Sequence, residues 1–217
     1  MRKIEACLFD LDGVIVDTAK YHFLAWKQLA DELGIDFTLE NNELLKGVSR
    51  MRSLDIILDL GKKTLTEVQK IDYANKKNDI YLEFIHRMND DELLPGVRSF
   101  IEELKEQRIR VALGSASKNA QLILQQLNIE TLFDAVIDGN QVSNAKPNPE
   151  VFLKGAEALH VEATGCVVFE DAIAGVEAAK NAGMLCIGVG DPATLSQADL
   201  VIAGFQDFNL RKLYGLN

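Results

Sequence analysis

Six short apolar runs punctuate the chain: Ala6–Phe9, Val111–Gly114, Ala135–Ile137, Cys166–Phe169, Leu185–Val189 and Leu200–Ile202. Each is continuous rather than alternating, the pattern of a strand buried on both faces. Between the later runs lie stretches with helical spacing: 97–107, 119–127, 149–159 and 172–182, the last stopped by Gly183. Strands alternating with helices predict an α/β fold, a parallel sheet covered by helices on both sides.

One stretch breaks the alternation. From about Thr18 to Met88 no strand pattern occurs, and Phe23, Trp26, Ala30 and Leu33 share one helix face. Residues 50–60 and 67–88 read as further helices. The expected organisation is a helical domain, residues 17–89, inserted after the first strand of a core formed by 1–16 and 90–217. The turn signal Leu94-Pro95-Gly96 follows the second boundary.

A chain of 217 residues suffices for a core plus an insertion, and 47% apolar with 26% charged residues is ordinary for a globular protein. Against 33 Asp and Glu stand 23 Lys and Arg, a net charge of −10 that argues against a nucleic-acid coat or a membrane-surface protein. It leaves room for an anionic substrate held by a few local cations. The three cysteines, Cys7, Cys166 and Cys186, all fall in strand runs and read as buried thiols in a reducing compartment. No apolar leader precedes Phe9 and no run approaches the roughly 20 residues of a membrane span. A cytoplasmic location is expected.

Ligands of open parallel sheets bind beyond the carboxyl ends of the strands. Asp10 and Asp12 follow the first strand and Ser115 follows the second. Lys146 lies beyond the third, and Glu170 and Asp171 close the fourth. Carboxylates, a hydroxyl and an ammonium on one rim suit phosphoryl transfer. A carboxylate attacks phosphorus to give an acyl phosphate, and cations must compensate the meeting of two anions. Asp10 and Asp171, with Glu170 and a backbone carbonyl, suit Mg²⁺, while Lys146 and Ser115 suit the phosphoryl oxygens. Asp12, two residues on, points to the same side if the chain is still extended, and can move the proton of a transferring hydroxyl. Gly13 then permits a turn, and Pro149 suits the first turn of the helix after Lys146-Pro147.

Asp10-Leu11-Asp12-Gly13-Val14, Ser115, Lys146-Pro147 and Glu170-Asp171 resemble, in order and spacing, the four motifs of the haloacid dehalogenase superfamily. The helical insertion resembles the α-helical cap of its phosphoglucomutase-like branch. The segments Phe9–Ile15 with Asp17-Thr18 and Tyr21–Phe23, Leu45–Arg50 and Ser115–Asn119 extend the likeness to that branch. The resemblance implies a Rossmann-like core, a mobile cap, Mg²⁺ and an aspartyl phosphate, and hence a mutase acting on sugar phosphates. It implies Asp10 as nucleophile, Asp12 as acid and base, and Ser115 and Lys146 on the transferring phosphate. His22 is the implied hinge residue coupling cap closure to Asp12. The implied distal phosphate site is Arg50 with Ser117, Lys118 and Asn119, Ala116 lying between. Lys46, Gly47, Val48 and Ser49 would line the sugar, with Thr18, Trp26 and Lys77 nearby. The implied metal set is Asp10, Asp12, Glu170 and Asp171.

The chain departs from the superfamily at Ala172, where Ser or Thr is common, so a hydroxyl at a helix start is lost. A sugar-phosphate phosphatase would share the rim residues, and the Lys46–Arg50 segment separates the two readings. A receiver-like phosphoacceptor is much shorter and lacks the insertion. The expected partners are small-molecule sugar phosphates, with no nucleic acid and no membrane, and the chain is expected to act as a monomer.

Overall fold

In a computed structural model, which describes residues 3–215 (backbone alone at 90), all six apolar runs are strands of one parallel sheet. Residues 1–2 and 216–217 of the expected core span lie outside the described ones. The strands are β1 (Ala6–Phe9), β2 (Arg110–Gly114), β3 (Ala135–Ile137), β4 (Cys166–Glu170), β5 (Leu185–Val189) and β6 (Leu200–Ile202), in the order β3-β2-β1-β4-β5-β6. The first connection carries the chain to β2 on one side of β1, and β4 returns to its other side. This reversal leaves a crevice beyond the ends of β1 and β4, the usual place for a ligand in such sheets.

The runs are continuous because both faces are covered. Cys7 and Phe9 point into one cluster, where Phe9 stacks on Phe169 at 4.7 Å against Phe100, Phe205 and Phe208. Ala6 and Leu8 point the other way, onto Phe152 and Val176. The covering helices are α5 (Val97–Glu106), α6 (Ala120–Gln126), α7 (Glu150–Ala158), α8 (Ile173–Asn181) and α9 (Leu210–Tyr214).

Between β1 and α5 the chain is helical throughout: α1 (Ala19–Glu32), α2 (Leu39–Glu43), α3 (Arg50–Leu60) and α4 (Glu67–Ile85), followed by a 3₁₀ turn. Trp26, Leu29, Phe37, Leu54 and Ile57 form a separate apolar cluster there. The far end of α4 is different, since Tyr81 and Ile85 pack into the cluster under the sheet. The two connections to the sheet are tied together. Asp17 N donates to Glu92 O at 2.8 Å, Leu94 N to Ile15 O at 3.0 Å, and Lys20 pairs with Glu92 at 2.6 Å. Among the described residues no helix is long and apolar enough to cross a membrane.

Candidate active site

Pairing of β1 with both neighbours carries the chain straight to the rim. Asp10 N donates to Phe169 O at 3.0 Å, and Ser115 N donates to Ile137 O at 3.0 Å, so both side chains leave the sheet at its carboxyl edge. Lys146 arrives on the cis Lys146-Pro147 segment before α7, and Glu170 ends β4. Lys146 Nζ donates to Asp10 Oδ1 and to Glu170 Oε1, each at 2.5 Å, with its side chain 1% exposed. Phe152 covers it, the ring 4.8 Å away. Burial alone would lower the Lys146 pKa, but the charges of Asp10 and Glu170 hold it above the usual lysine range.

Asp10, Glu170 and Asp171 each offer a carboxylate oxygen within 4.8 Å of the others. Burial pushes the Asp10 pKa up to about 7, against Lys146 and reinforced by Glu170 and Asp12. Burial, then Glu170 and Asp10, also raises Asp171 well above the carboxylate range. Asp10 and Glu170 share the Lys146 ammonium while Asp171 has Lys46 Nζ 3.8 Å away, so the three clustered carboxylates carry negative charge that a further cation would relieve. The donor set is all oxygen, which fits a hard divalent ion. Asp12 is not part of this group. Its Oδ1 accepts from the Thr18 hydroxyl and faces His22 Nε2 at 3.6 Å.

Two glycines make this packing possible. Gly13 has φ +80°, and a Cβ there would lie 2.3 Å from Asp171 Oδ2. A Cβ on Gly175, in the first turn of α8, would lie 1.7 Å from Glu170 Oε1. The other oxygen of this carboxylate, Oε2, accepts from Ala172 N at 2.9 Å just ahead of α8, whose N-cap Ala172 makes no side-chain capping bond.

Asp12 is held from behind. Thr18 precedes α1 as its N-cap, yet its hydroxyl serves Asp12 and makes no capping bond. Burial raises the Asp12 pKa, but the bond and charge of His22 and the bond from Thr18 outweigh it, so the carboxyl stays below its usual range. Lys77, 2% exposed, sits 2.8 Å from His22 Nδ1 and over the rings of Trp26 and Tyr81. With Lys77 donating to Nδ1, the ring proton of His22 lies on Nε2, toward Asp12. Burial and the Arg50 charge lower the Lys77 pKa to about 7.

A cavity of about 480 Å³ opens over the rim, lined from the sheet side and from the helical insertion. Every residue expected at the site lines it except two. Thr18 is fully buried behind Asp12, and Glu170 is fully buried beneath Lys146. The Lys46–Ser49 loop is shaped by Gly47 at φ +71° and by Ser49, whose hydroxyl accepts from Arg52 N at 3.3 Å to cap α3. The loop reaches the sheet domain: Lys46 Nζ lies 3.8 Å from Asp171 Oδ2, and a Cβ on Gly47 would lie 3.2 Å from that of Ala172. On the other side, Ser115 Oγ accepts from Ser117 N at 3.0 Å and Ser117 Oγ from Asn119 N at 3.2 Å, winding Ser115–Asn119 into a tight turn. Asn119 is the N-cap of α6 by backbone position, but its side chain crosses to the insertion and caps nothing.

Sequence reasoning missed Gly175 and Asn78, and also Ser143–Ala145, which line the cavity ahead of Lys146. Gly175 is legible only as a small residue five positions after the acidic one it serves.

The family model described as haloacid dehalogenase-like hydrolase matches residues 7–189. The chain is 41% identical over 213 residues to β-phosphoglucomutase of Bacillus subtilis, covering 97% of this chain and 94% of the relative. It is 35% identical over 185 residues to a phosphorylated carbohydrates phosphatase of Thermotoga maritima, covering 83% and 82%. The crystal structure of β-phosphoglucomutase from Clostridium difficile is similar at TM-score 0.94 and 41% identity, over 98% of this chain and 96% of that one.

Proposed function

The chain belongs to the haloacid dehalogenase-like hydrolase family, and on that footing we infer that it works as a β-phosphoglucomutase, an isomerase interconverting β-D-glucose 1-phosphate and glucose 6-phosphate. The observation that supports this reading is one cavity lined by two groups of polar and charged side chains suited to two phosphates. Asp10, Ser115 and Lys146 lie at the sheet rim, and Arg50, Lys118 and Asn119 form the second set. A phosphatase acting on a monophosphate needs only the first set. An enzyme that passes through a bisphosphate needs both.

In the phosphorylated enzyme the sugar 6-hydroxyl attacks the phosphorus carried by Asp10, gives its proton to Asp12 and frees the Asp10 carboxylate. Glucose 1,6-bisphosphate then turns end for end. Asp10 attacks the phosphorus on C1, the bond to the C1 oxygen breaks, and Asp12 returns the proton to that oxygen. Lys146 and the Ser115 hydroxyl, whose oxygen already accepts from Ser117 N and so is free to donate, hold the transferring phosphoryl group. Arg50, Ser117, Lys118 and Asn119 hold the phosphate that is not reacting. Lys46–Ser49, Trp26 and Lys77 face the sugar, and His22 with Thr18 keeps Asp12 in position. Asp10, Glu170 and Asp171 would hold Mg²⁺, which when bound would neutralise charge as the two anions meet.

We read residues 17–89 as a cap that closes over the remainder of the chain, a reading supported by its separate apolar cluster and its two tied connections. A cytoplasmic monomer is the expected form. Buried strand cysteines suit a reducing compartment, and one chain supplies both phosphate sets to one cavity.

The test is purified protein with Mg²⁺ and each anomer of glucose 1-phosphate, with and without glucose 1,6-bisphosphate as primer. Glucose 6-phosphate and free phosphate are measured in parallel. Glucose 6-phosphate formed from the β anomer, accelerated by primer, is expected. Stoichiometric phosphate release without glucose 6-phosphate would move the chain to the phosphatases.

A further inference from the structure

Asn78 stands behind the cavity without lining it. It lies on α4, while Arg50 begins α3 and Asn119 precedes α6 on the sheet side of the cleft. Its amide oxygen accepts from Arg50 Nη2 at 2.7 Å and from Asn119 Nδ2 at 2.9 Å. Arg50 and Asn119 both line the cavity. One oxygen thus joins two members of the second phosphate set that come from opposite sides of the cleft.

We propose that Asn78 is a positioning residue that locks Arg50 of the insertion to Asn119 of the sheet domain, so that the clamp for the non-reacting phosphate is assembled only when the insertion is closed. The proposal deepens the two-phosphate reading above and rests on it. An amide oxygen has two lone pairs, and here both are filled. The bond to Arg50 takes one of five guanidinium hydrogens, leaving the others for a phosphate. The bond to Asn119 takes one of two amide hydrogens and leaves the second. Asn119 gives up the capping bond open to an asparagine at its position, so its side chain is committed to the other side of the cleft.

The residue type also fits. An aspartate at 78 would hold Arg50 more tightly, but it would set a negative charge behind a site built for an anion and neutralise its main cation. A neutral acceptor orients the guanidinium and leaves its charge for the ligand.

The experiment measures binding, not turnover. In an Asp10→Asn background with Mg²⁺, glucose 1,6-bisphosphate is titrated while following Trp26, the one tryptophan of the chain and part of the cavity wall. Loss of two oriented donors, one of them charged, predicts that Asn78→Ala weakens the bisphosphate by about ten- to a hundred-fold. Asn78→Asp keeps the oxygen and is informative even where the alanine variant fails to fold. It should weaken the bisphosphate at pH 8 while keeping or raising the melting temperature of the Asp10→Asn parent, because the carboxylate keeps the bond to Arg50 and adds only a charge behind the anion site. A purely structural role would lower affinity only together with the melting temperature. Binding within two-fold of the parent by Asn78→Ala, or parental affinity of Asn78→Asp at pH 8, would overturn the proposal. Failure of the isomerase reading would appear separately, as phosphate release by the wild-type chain in the turnover assay.

Discussion

The buried carboxylate cluster makes stability depend on pH in the direction opposite to that of most acidic groups. Asp10 has a folded pKa of about 7 against an ordinary value of 3.8. Its folded form binds a proton more tightly than its unfolded form. Stability from this group is therefore fully present below about pH 4 and is lost as the pH rises through about 7. The gap of roughly three units corresponds to about 4 kcal/mol at ~1.4 kcal/mol per unit, with Asp171 acting in the same direction. The part of this gap between pH 5 and about 7 is roughly two units, about 3 kcal/mol, which for a chain of this size is a fall of about 5–10 °C in melting temperature between pH 5 and pH 8, at ~2–4 °C per kcal/mol. His22, with its pKa lowered first by burial and then by Lys77, works the other way at the acid end of the window. The quantity to read is thus the difference between wild type and Asp10→Asn.

The assay is scanning calorimetry in chelator and in excess Mg²⁺ at half-unit pH steps. In chelator, wild type should lose several degrees relative to Asp10→Asn between pH 5 and pH 8. Added Mg²⁺ should restore most of the loss at pH 8 and little at pH 5, because protons compete with the metal for the same oxygens. The variant should show no turnover at any pH. A wild-type melting temperature that runs parallel to that of Asp10→Asn across the window would refute the reasoning. It would mean that Lys146 and Lys46 already neutralise the cluster.

Further outcomes follow from single contacts. Arg50→Ala should cut isomerase turnover by about 2–5 kcal/mol in transition-state terms while leaving hydrolysis of the aspartyl phosphate much less affected, since water carries no phosphate to clamp; equal losses in both rates would make Arg50 a general residue. Gly175→Ala should destabilise, although an alanine inside a helix ordinarily stabilises by roughly 0.5–1 kcal/mol, because its Cβ would lie 1.7 Å from Glu170 Oε1; calorimetry and a Mg²⁺ titration both read it. Lys77→Met should raise stability most below pH 7 and progressively less toward pH 10, because the lowered Lys77 pKa makes the folded state bind fewer protons than the unfolded one over that range; urea melts at pH 6 and pH 9.5 check the sign.

How much of this was legible in the chain depends on what each residue faces. The strands were readable because burial on both faces leaves no polar position inside them, and the rim residues because each follows a strand directly. Helix α2 was not: its sequence LENNE has one buried position, and the helix is set by the reciprocal Thr38–Asn41 cap rather than by an apolar face. The short α9 escaped for the same want of length. Within the site, Lys76 and Lys77 are neighbours of the same type. One reaches Glu32 at 2.6 Å on the surface and the other is buried against Trp26 and Tyr81, a difference that only the packing of α1 on α4 creates. Thr18 was assigned to the substrate and instead serves Asp12, while Asn78 gave no signal at all. A side chain that meets a ligand must carry the ligand's chemistry, which is a small vocabulary of charges and hydroxyls beside strand ends. A side chain that meets another side chain needs only to match it, and its partner, 41 residues away in the case of Asn78 and Asn119, is chosen by the fold. The second kind of residue decides whether the first kind is aimed, so substitutions at Thr18, Asn78 and Gly175 should cost function although each acts through another side chain, Asp12, Arg50 with Asn119, and Glu170 respectively.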